Sequence, residues 1–226
     1  MHIYIGLIMK KTEESKIRQV KKPLTIFGVE IVYLCVLSIA TAFLGWLAEN
    51  AVKMISSGII DCRFHLLPFI SPYALIVFAV HIVFGNPDKI APFGRQIFHK
   101  DNLTSKICSN ILVLTIIYFF VFFGELIVGN LWEILFGVKL WNYSSSPLRV
   151  TQYAGLLPTL GYGTGAYLLF RFVYTPALNY LRKNMKYKTA LIISCTLGVM
   201  IVIDTLIMIL VTAITRQAPM YWSIRF

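Results

Sequence analysis

The sequence predicts an all-α membrane protein: a polytopic transmembrane helical bundle of five spans, N-terminus in the cytoplasm, C-terminus outside. Three observations predict it. Of 226 residues, 58% are apolar and 14% charged, with a mean hydropathy of +0.73, where a soluble domain carries about 45–50% and about 25%. That excess of apolar surface excludes a soluble domain, a nucleic-acid binder and a disordered tail. Five apolar runs each approach the roughly 20 helical residues that a bilayer core about 30 Å thick requires. Basic residues, finally, alternate in number between those runs, as they do when one side of the membrane is cytoplasmic.

The runs are Ile26 to Leu47, Leu67 to Gly85, Ile107 to about Phe136, Tyr153 to Tyr174, and Ala190 to Ile214. The second carries Pro68 and Pro72 in its first turns, where proline costs a helix no hydrogen bond. The third is longer than a bilayer needs, so it tilts, projects, or breaks near Gly124 or Gly129. Lys10, Lys11, Lys16, Arg18, Lys21 and Lys22 precede the first run, and Lys53 and Arg63 follow it. Lys89, Arg95, Lys100 and Lys106 follow the second, Lys139 and Arg149 the third. Arg182, Lys183, Lys186 and Lys188 follow the fourth, and Arg216 and Arg225 lie in the tail. The series 6, 2, 4, 2, 4, 2 alternates throughout, and omitting the second run would join unlike connections on one side. Residues 1–226 thus read as one membrane domain, with 1–25 as a basic cytoplasmic N-terminal segment.

Residues 10–22 suit a short basic helix at the anionic inner leaflet, or a solvated flank. Residues 86–106 set Phe93, Ile97 and Phe98 among Arg95, His99 and Lys100, which fits an interfacial helix or a docking surface for a soluble partner. Trp46, Trp132, Trp141 and Tyr143 sit at the outer run ends, as an interfacial aromatic belt would. Cys35, Cys62, Cys108 and Cys195 fall at no metal-like spacing, so neither a disulfide framework nor a metal site is expected. The apolar stretch Ile3 to Met9 is short and precedes the basic cluster, unlike a cleavable signal peptide.

Ionisable groups inside spans are costly and count as functional candidates. They are Glu30, His81, Glu125, Glu133 and Asp204, with Glu49 at the outer end of the first run. Glu125, Gly129 and Glu133 are four apart and share a slowly drifting helix face, on which Gly129 admits a close neighbour. Gly45 and Glu49 repeat the small-then-acid spacing. With Asp61, these acids fall toward the outer half. They form an outward-facing vestibule or a cation or proton site between the first and third spans, or they pair with Arg63, Lys53, Arg149 or Asn130 and lock helices together.

Asp204 has no basic residue within two turns, so it needs a proton, a partner on another helix, or a water-filled crevice. On that reading Asp204→Leu harms function more than insertion. His65 lies four after Asp61, a pair that reads as a loop fixture or as acid–base groups, with no serine or cysteine nucleophile array nearby. His81 reads as an interhelical hydrogen-bonding residue. Gly161, Gly163 and Gly165 read as close-packing positions and not as a dinucleotide fingerprint. No P-loop sequence is present, so energy must come from a partner or an ion gradient; no cofactor is implied.

Two stretches carry a resemblance. The first is Phe43-Leu-Gly-Trp-Leu-Ala-Glu49, then Gly58 and Arg63 to Tyr73 (Arg-Phe-His-Leu-Leu-Pro-Phe-Ile-Ser-Pro-Tyr, including Pro68). The second is Glu133-Ile-Leu-Phe-Gly-Val-Lys-Leu-Trp-Asn-Tyr-Ser144, continuing to Pro147-Leu148 and Gly155. Together they resemble the bacterial CmpB-type ABC transporter permeases, the "ABC transporter type IV" group. That pattern runs Gly-Trp-x-x-Glu, Arg-Gly-Phe-Leu-x-Gly-Pro, Pro-Ile-Tyr-Gly, Glu-x-Leu-Phe and Trp-Trp-Asp-Tyr-Ser. This chain departs from it in lacking the glycine after Arg63 and in carrying Asn142 in place of aspartate. The resemblance implies transport with a separate ATPase subunit.

The expectation is a permease-like component of a bacterial transporter in the cytoplasmic membrane. Its partners would be the lipid bilayer, a cytoplasmic ATPase or other membrane subunits, or a second copy of itself. Two other classes stay open. One is a non-transporting scaffold or sensor. The other is an intramembrane enzyme acting on a lipid or envelope precursor through Asp61, His65 and Glu49.

Overall fold

The computed structural model describes residues 23–86, 89–91, 95 and 102–226. The basic segment 10–22 and the Phe93–Lys100 part of the expected interfacial helix lie outside the described residues, Arg95 excepted. The chain is mostly helical. Its helices are α1 (Ile31–Ser57), α2 (Ser71–Phe84), α3 (Leu103–Phe136), α4 (Leu156–Leu168), α5 (Thr175–Asn184) and α6 (Tyr187–Thr215). A π-helical turn, Leu169–Tyr174, joins α4 to α5. Short antiparallel pairs accompany them: β1 (Thr25–Ile26) with β2 (Val29–Glu30), β3 (Ile59–Asp61) with β6 (Ser223–Arg225), and β4 (Gly85–Asn86) with β5 (Lys89–Ile90).

Among the described residues, three helices are long and apolar enough to cross a membrane: α1, α3 and α6. Their 27, 34 and 29 residues correspond to about 40, 51 and 43 Å of helix. The first run does not become helix from Ile26. A tight turn through Phe27 and Gly28, both at positive φ, folds β1 onto β2 first. α1 then continues ten residues past Leu47 to a left-handed cap at Gly58, whose N–H returns to the Met54 carbonyl. Glu49 therefore lies inside a helix and not at its end.

α3 starts on Asn102, whose side chain accepts from the Ser105 N–H at 2.8 Å. It runs unbroken through Gly124 and Gly129 to Gly137, which overturns the expected break as one explanation of its length. α4 begins three residues after Tyr153, because the Val150 and Thr151 N–H groups close a tight turn onto the Ala154 carbonyl. α6 extends the expected Ala190–Ile214 by a few residues at its start.

The direction of each helix follows from contacts at its ends. β3 leaves α1 and pairs with β6, which follows α6, and Arg216 Nη1 donates to the Leu135 carbonyl at the end of α3 at 3.0 Å. α1, α3 and α6 therefore finish at one face. At the opposite face the Tyr33 hydroxyl donates to the Met185 carbonyl at 3.1 Å, and Ser194 Oγ donates to the Val32 carbonyl at 3.0 Å. α2 returns from the finishing face, since Tyr73 near its start meets Glu49 and His81 near its end meets Ile26. α4 and α5 return likewise, with Arg182 Nη2 donating to the Gly28 carbonyl at 2.9 Å.

The tightest core sits toward the starting face, where Leu34, Val77, Phe84, Val113, Phe170 and Ala190 are buried together. His81 is fully buried there. Its Nε2 lies 2.7 Å from the Ile26 carbonyl, and its Nδ1 lies 2.5 Å from the Tyr174 hydroxyl. The carbonyl can only accept, so Nε2 carries the proton and Nδ1 accepts from Tyr174. This bond holds the π-turn against α2, as the interhelical reading of His81 anticipates. Tyr174→Phe orphans Nδ1 in the core; a loss of about 1–3 kcal/mol is expected, measured as a lowered thermal unfolding midpoint in detergent.

Candidate functional site

α2 has only 14 residues, about 21 Å of helix, too short to cross a bilayer alone. It is preceded by the connection 58–70, which folds down between the helix ends. Pro68 lies in this connection, so only Pro72 occupies the first turn of α2, a correction to the expected helix start. Ile70 N–H reaches the Ala42 carbonyl at 3.2 Å, fifteen residues and about 22 Å back from the end of α1. Irregular backbone at that depth is tolerated only where protein satisfies its polar groups.

The satisfaction is explicit. The Asp61 N–H donates to Asn50 Oδ1 at 2.8 Å and the Cys62 N–H to the Trp222 carbonyl at 3.2 Å. Asp61 Oδ1 accepts from the Arg63 N–H at 2.9 Å, while Oδ2 forms an ion pair with Lys53. The N–H groups of Leu66 and Leu67 donate to the two oxygens of Asp204, at 2.8 and 3.2 Å. His65 Nδ1 lies 3.3 Å from Asp204 Oδ2, off the line of a well-directed hydrogen bond. His65 therefore meets Asp204 of α6 and not Asp61, which removes the sequence-adjacent pair. Asp204 finds its partners in the backbone of this connection.

Above Asp204 a polar belt crosses the bundle. Glu49 Oε1 accepts from the Tyr73 hydroxyl at 2.8 Å, and its Oε2 accepts from Arg63 Nε at 2.8 Å and also from Arg63 Nη2. Tyr162 of α4 stands next, close enough to Glu49, Arg63, Glu125 and Tyr143 to interact with them electrostatically. The Tyr143 hydroxyl donates to Glu125 Oε1 at 2.9 Å. Glu125 Oε2 is buried without a hydrogen-bond partner among the described residues. Glu49 lies about 12 Å and Glu125 about 16 Å back from the ends of their helices.

Glu133 belongs to a second cluster. Its Oε2 accepts from the Tyr153 hydroxyl at 2.5 Å and from Gln152 Nε2 at 3.0 Å, and Lys139 Nζ lies 3.4 Å from Oε1. Burial, with the Glu133 carboxylate at its hydroxyl, pushes the Tyr153 phenol up to about 12. It therefore remains a proton donor throughout the physiological range. Trp141 Nε1 donates to the Tyr153 carbonyl at 3.0 Å, and Asn142 Oδ1 accepts from the Ser144 N–H at 2.8 Å. Trp141 and Tyr143 are half-buried, and their polar atoms meet protein partners. Trp46 stacks against Phe43 and meets Trp222 edge-on, with ring centroids 6.2 and 6.3 Å apart.

The structure thus joins Glu49 to Glu125 through tyrosines and leaves Glu133 and Asp204 apart, although Glu125 and Glu133 share a helix. Of the anticipated structural partners, Arg63 and Lys53 do pair with acids, while Asn130 bonds its own helix at the Leu126 carbonyl. Sequence reasoning missed Tyr73, Tyr153 and Tyr162, along with Lys139 and Gln152. Tyrosine in an apolar run reads as a belt residue, and its donor role shows only when a carboxylate at the same depth is known.

Three helices long and apolar enough to cross a bilayer define a membrane protein. A family model described as "Putative ABC-transporter type IV" matches residues 25–209, and the chain belongs to that family. No curated protein and no solved structure matches it. The departures from the family pattern acquire a geometry here. Phe64 occupies the place of the pattern's glycine at φ 71, a left-handed conformation that glycine adopts without strain. Asn142 caps its turn through Oδ1, a role that aspartate fills equally well.

Asp204→Leu strips two backbone N–H groups in part-buried bonds of their acceptor and is expected to cost about 2–4 kcal/mol. Asp204→Asn keeps one acceptor and is expected to cost less. Thermal unfolding in detergent separates the two.

Proposed function

We propose that the protein is the membrane-embedded subunit of a bacterial transporter, coupled to a separate ATPase. It crosses the cytoplasmic membrane five times, with its finishing face outside. The observation that carries this reading is the belt from Arg63 and Glu49 through Tyr73, Tyr162 and Tyr143 to Glu125. It spans four helices and two connections. Polar groups so deep in lipid are costly, and their usual use is a route for a solute or ion. Five spans agree with the parallel run of α1, α3 and α6, because α2 and α4–α5 must carry the chain back between them. The basic elbow between α5 and α6, with Arg182, Lys183, Lys186 and Lys188 exposed, then faces the cytoplasm. A cleft of about 510 Å³ opens there beside Tyr180, Asn184 and Met185, and supports this elbow as the ATPase contact.

A scaffold is the second reading, favoured by the ion pairs of Glu49 and Asp61 and the backbone bonds of Asp204. We read the chain as no enzyme in its own right. Purification of the full chain from native membranes decides between these readings. A P-loop ATPase recovered with the wild type and lost with the double variant Lys183→Glu/Lys188→Glu is the expected result. Recovery without an ATPase, with ion flux in liposomes that stops in Glu49→Gln, indicates a gradient-driven carrier. Neither an ATPase nor flux, with Glu49→Gln lowering only thermal stability, indicates the scaffold.

A further inference from the structure

The seats of Tyr73 and Tyr153 are one device built twice. The sequence reads Gly-x-Leu-x-Glu at Gly45–Glu49 and again at Gly129–Glu133, and Tyr-Ala follows each, at 73–74 and 153–154. Four residues separate each glycine from its acid, which sets both on one helix face. An ideal Cβ on Gly45 would lie 2.5 Å from the Tyr73 ring, and one on Gly129 would lie 2.5 Å from the Tyr153 ring. Each ring therefore occupies space that any other residue would fill. Each hydroxyl donates to the carboxylate one turn further on, at 2.8 Å for Glu49 and 2.5 Å for Glu133. Each carboxylate also meets a cation of the connection that follows, Arg63 or Lys139.

The surroundings repeat as well. α1 and α3 both end on a left-handed glycine, Gly58 and Gly137. Each connection leads to a short helix that turns back along the long one and carries a proline in its first turn, Pro72 or Pro158. Internal structural repeats recur in membrane folds, related by an axis in the membrane plane or along its normal.

We infer that α1–α2 and α3–α4 are two copies of one helix–connection–helix unit, and that Tyr73 and Tyr153 are its latches, each holding one connection closed over the finishing face. The glycine gives the ring its seat, the glutamate fixes the hydroxyl, and the cation neutralises the glutamate. The duplication stands independently of the transport reading, since it rests on recurrence alone.

Buried positions on the two connections report the latches separately. Cys62 is 1% exposed and Ala154 is wholly buried. In full-length protein in liposomes, with Cys35, Cys108 and Cys195 replaced by alanine, Cys62 is one reporter. Ala154→Cys, in a chain also carrying Cys62→Ala, is the other. The reaction rate with a membrane-impermeant maleimide is measured. Tyr73→Phe is expected to raise the rate at Cys62 by about tenfold or more, the effect of losing one charge-assisted bond, and to leave position 154 unchanged. Tyr153→Phe is expected to do the converse. Glu133→Gln, which keeps a weaker acceptor, is expected to raise the rate at 154 by less than Tyr153→Phe does. Unchanged rates in both tyrosine variants overturn the latches, and so does a rise at both reporters in either variant, which signals general loosening. Should a phenylalanine variant fail to fold, Glu133→Gln with no change at position 154 overturns the assignment equally.

Discussion

Backbone polarity inside a bilayer is the constraint on which this structure depends. Connection 58–70 carries non-helical chain as far as the level of Ala42, where water is not available to pair its N–H groups. Partners are therefore supplied within the connection, by Asp61, Cys62 and Leu67, and by other parts of the protein: Asn50 and Ala42 from α1, Asp204 from α6, and Trp222 from the tail. The carboxylate of Asp204 is placed where a loop needs an acceptor. Its mid-span position, costly in isolation, is explained by the two backbone donors that reach it. The short length of α2 has the same origin, because the residues that would have extended it are used in the descent.

The belt above this connection shows how the chain places charge in lipid. Glu49 is neutralised by Arg63 and oriented by Tyr73, so its cost is offset by one ion pair and three hydrogen bonds. Glu125 receives one hydroxyl and no cation among the described residues. The two carboxylates are thus unequal, with Tyr162 between them. The belt has one saturated end and one open end.

The helices were legible because hydropathy reports bilayer thickness directly. The fifth run matches α6 closely, and the third matches the end of α3 at Phe136. Their ends were less legible where local chemistry intervened: the Phe27–Gly28 turn delays α1, and the tight turn at 150–154 delays α4. The candidate site was legible as a set of acids and illegible as a set of pairs. Spacing of four residues identifies neighbours on one helix, so it linked Glu125 to Glu133 and Asp61 to His65. The partners that hold these groups lie elsewhere in the chain, at Tyr143, Tyr153, Lys53 and Asp204. Periodicity contains no term for such contacts. The repeated glycine and glutamate were visible in the sequence, but the tyrosines they receive stand 24 and 20 positions beyond the acids.

The pairing of β3 with β6 sets an order of events during biosynthesis. β3 is translated long before its partners Asp204, Trp222 and β6. At about 5–20 residues per second, connection 58–70 waits on the order of ten seconds or more for them. Until then its N–H groups must be hydrated or shielded by the insertion machinery. Closure of the finishing face is therefore a late event, and a ribosome stalled within α6 would leave a nascent chain whose earliest helix pair is formed but unsealed.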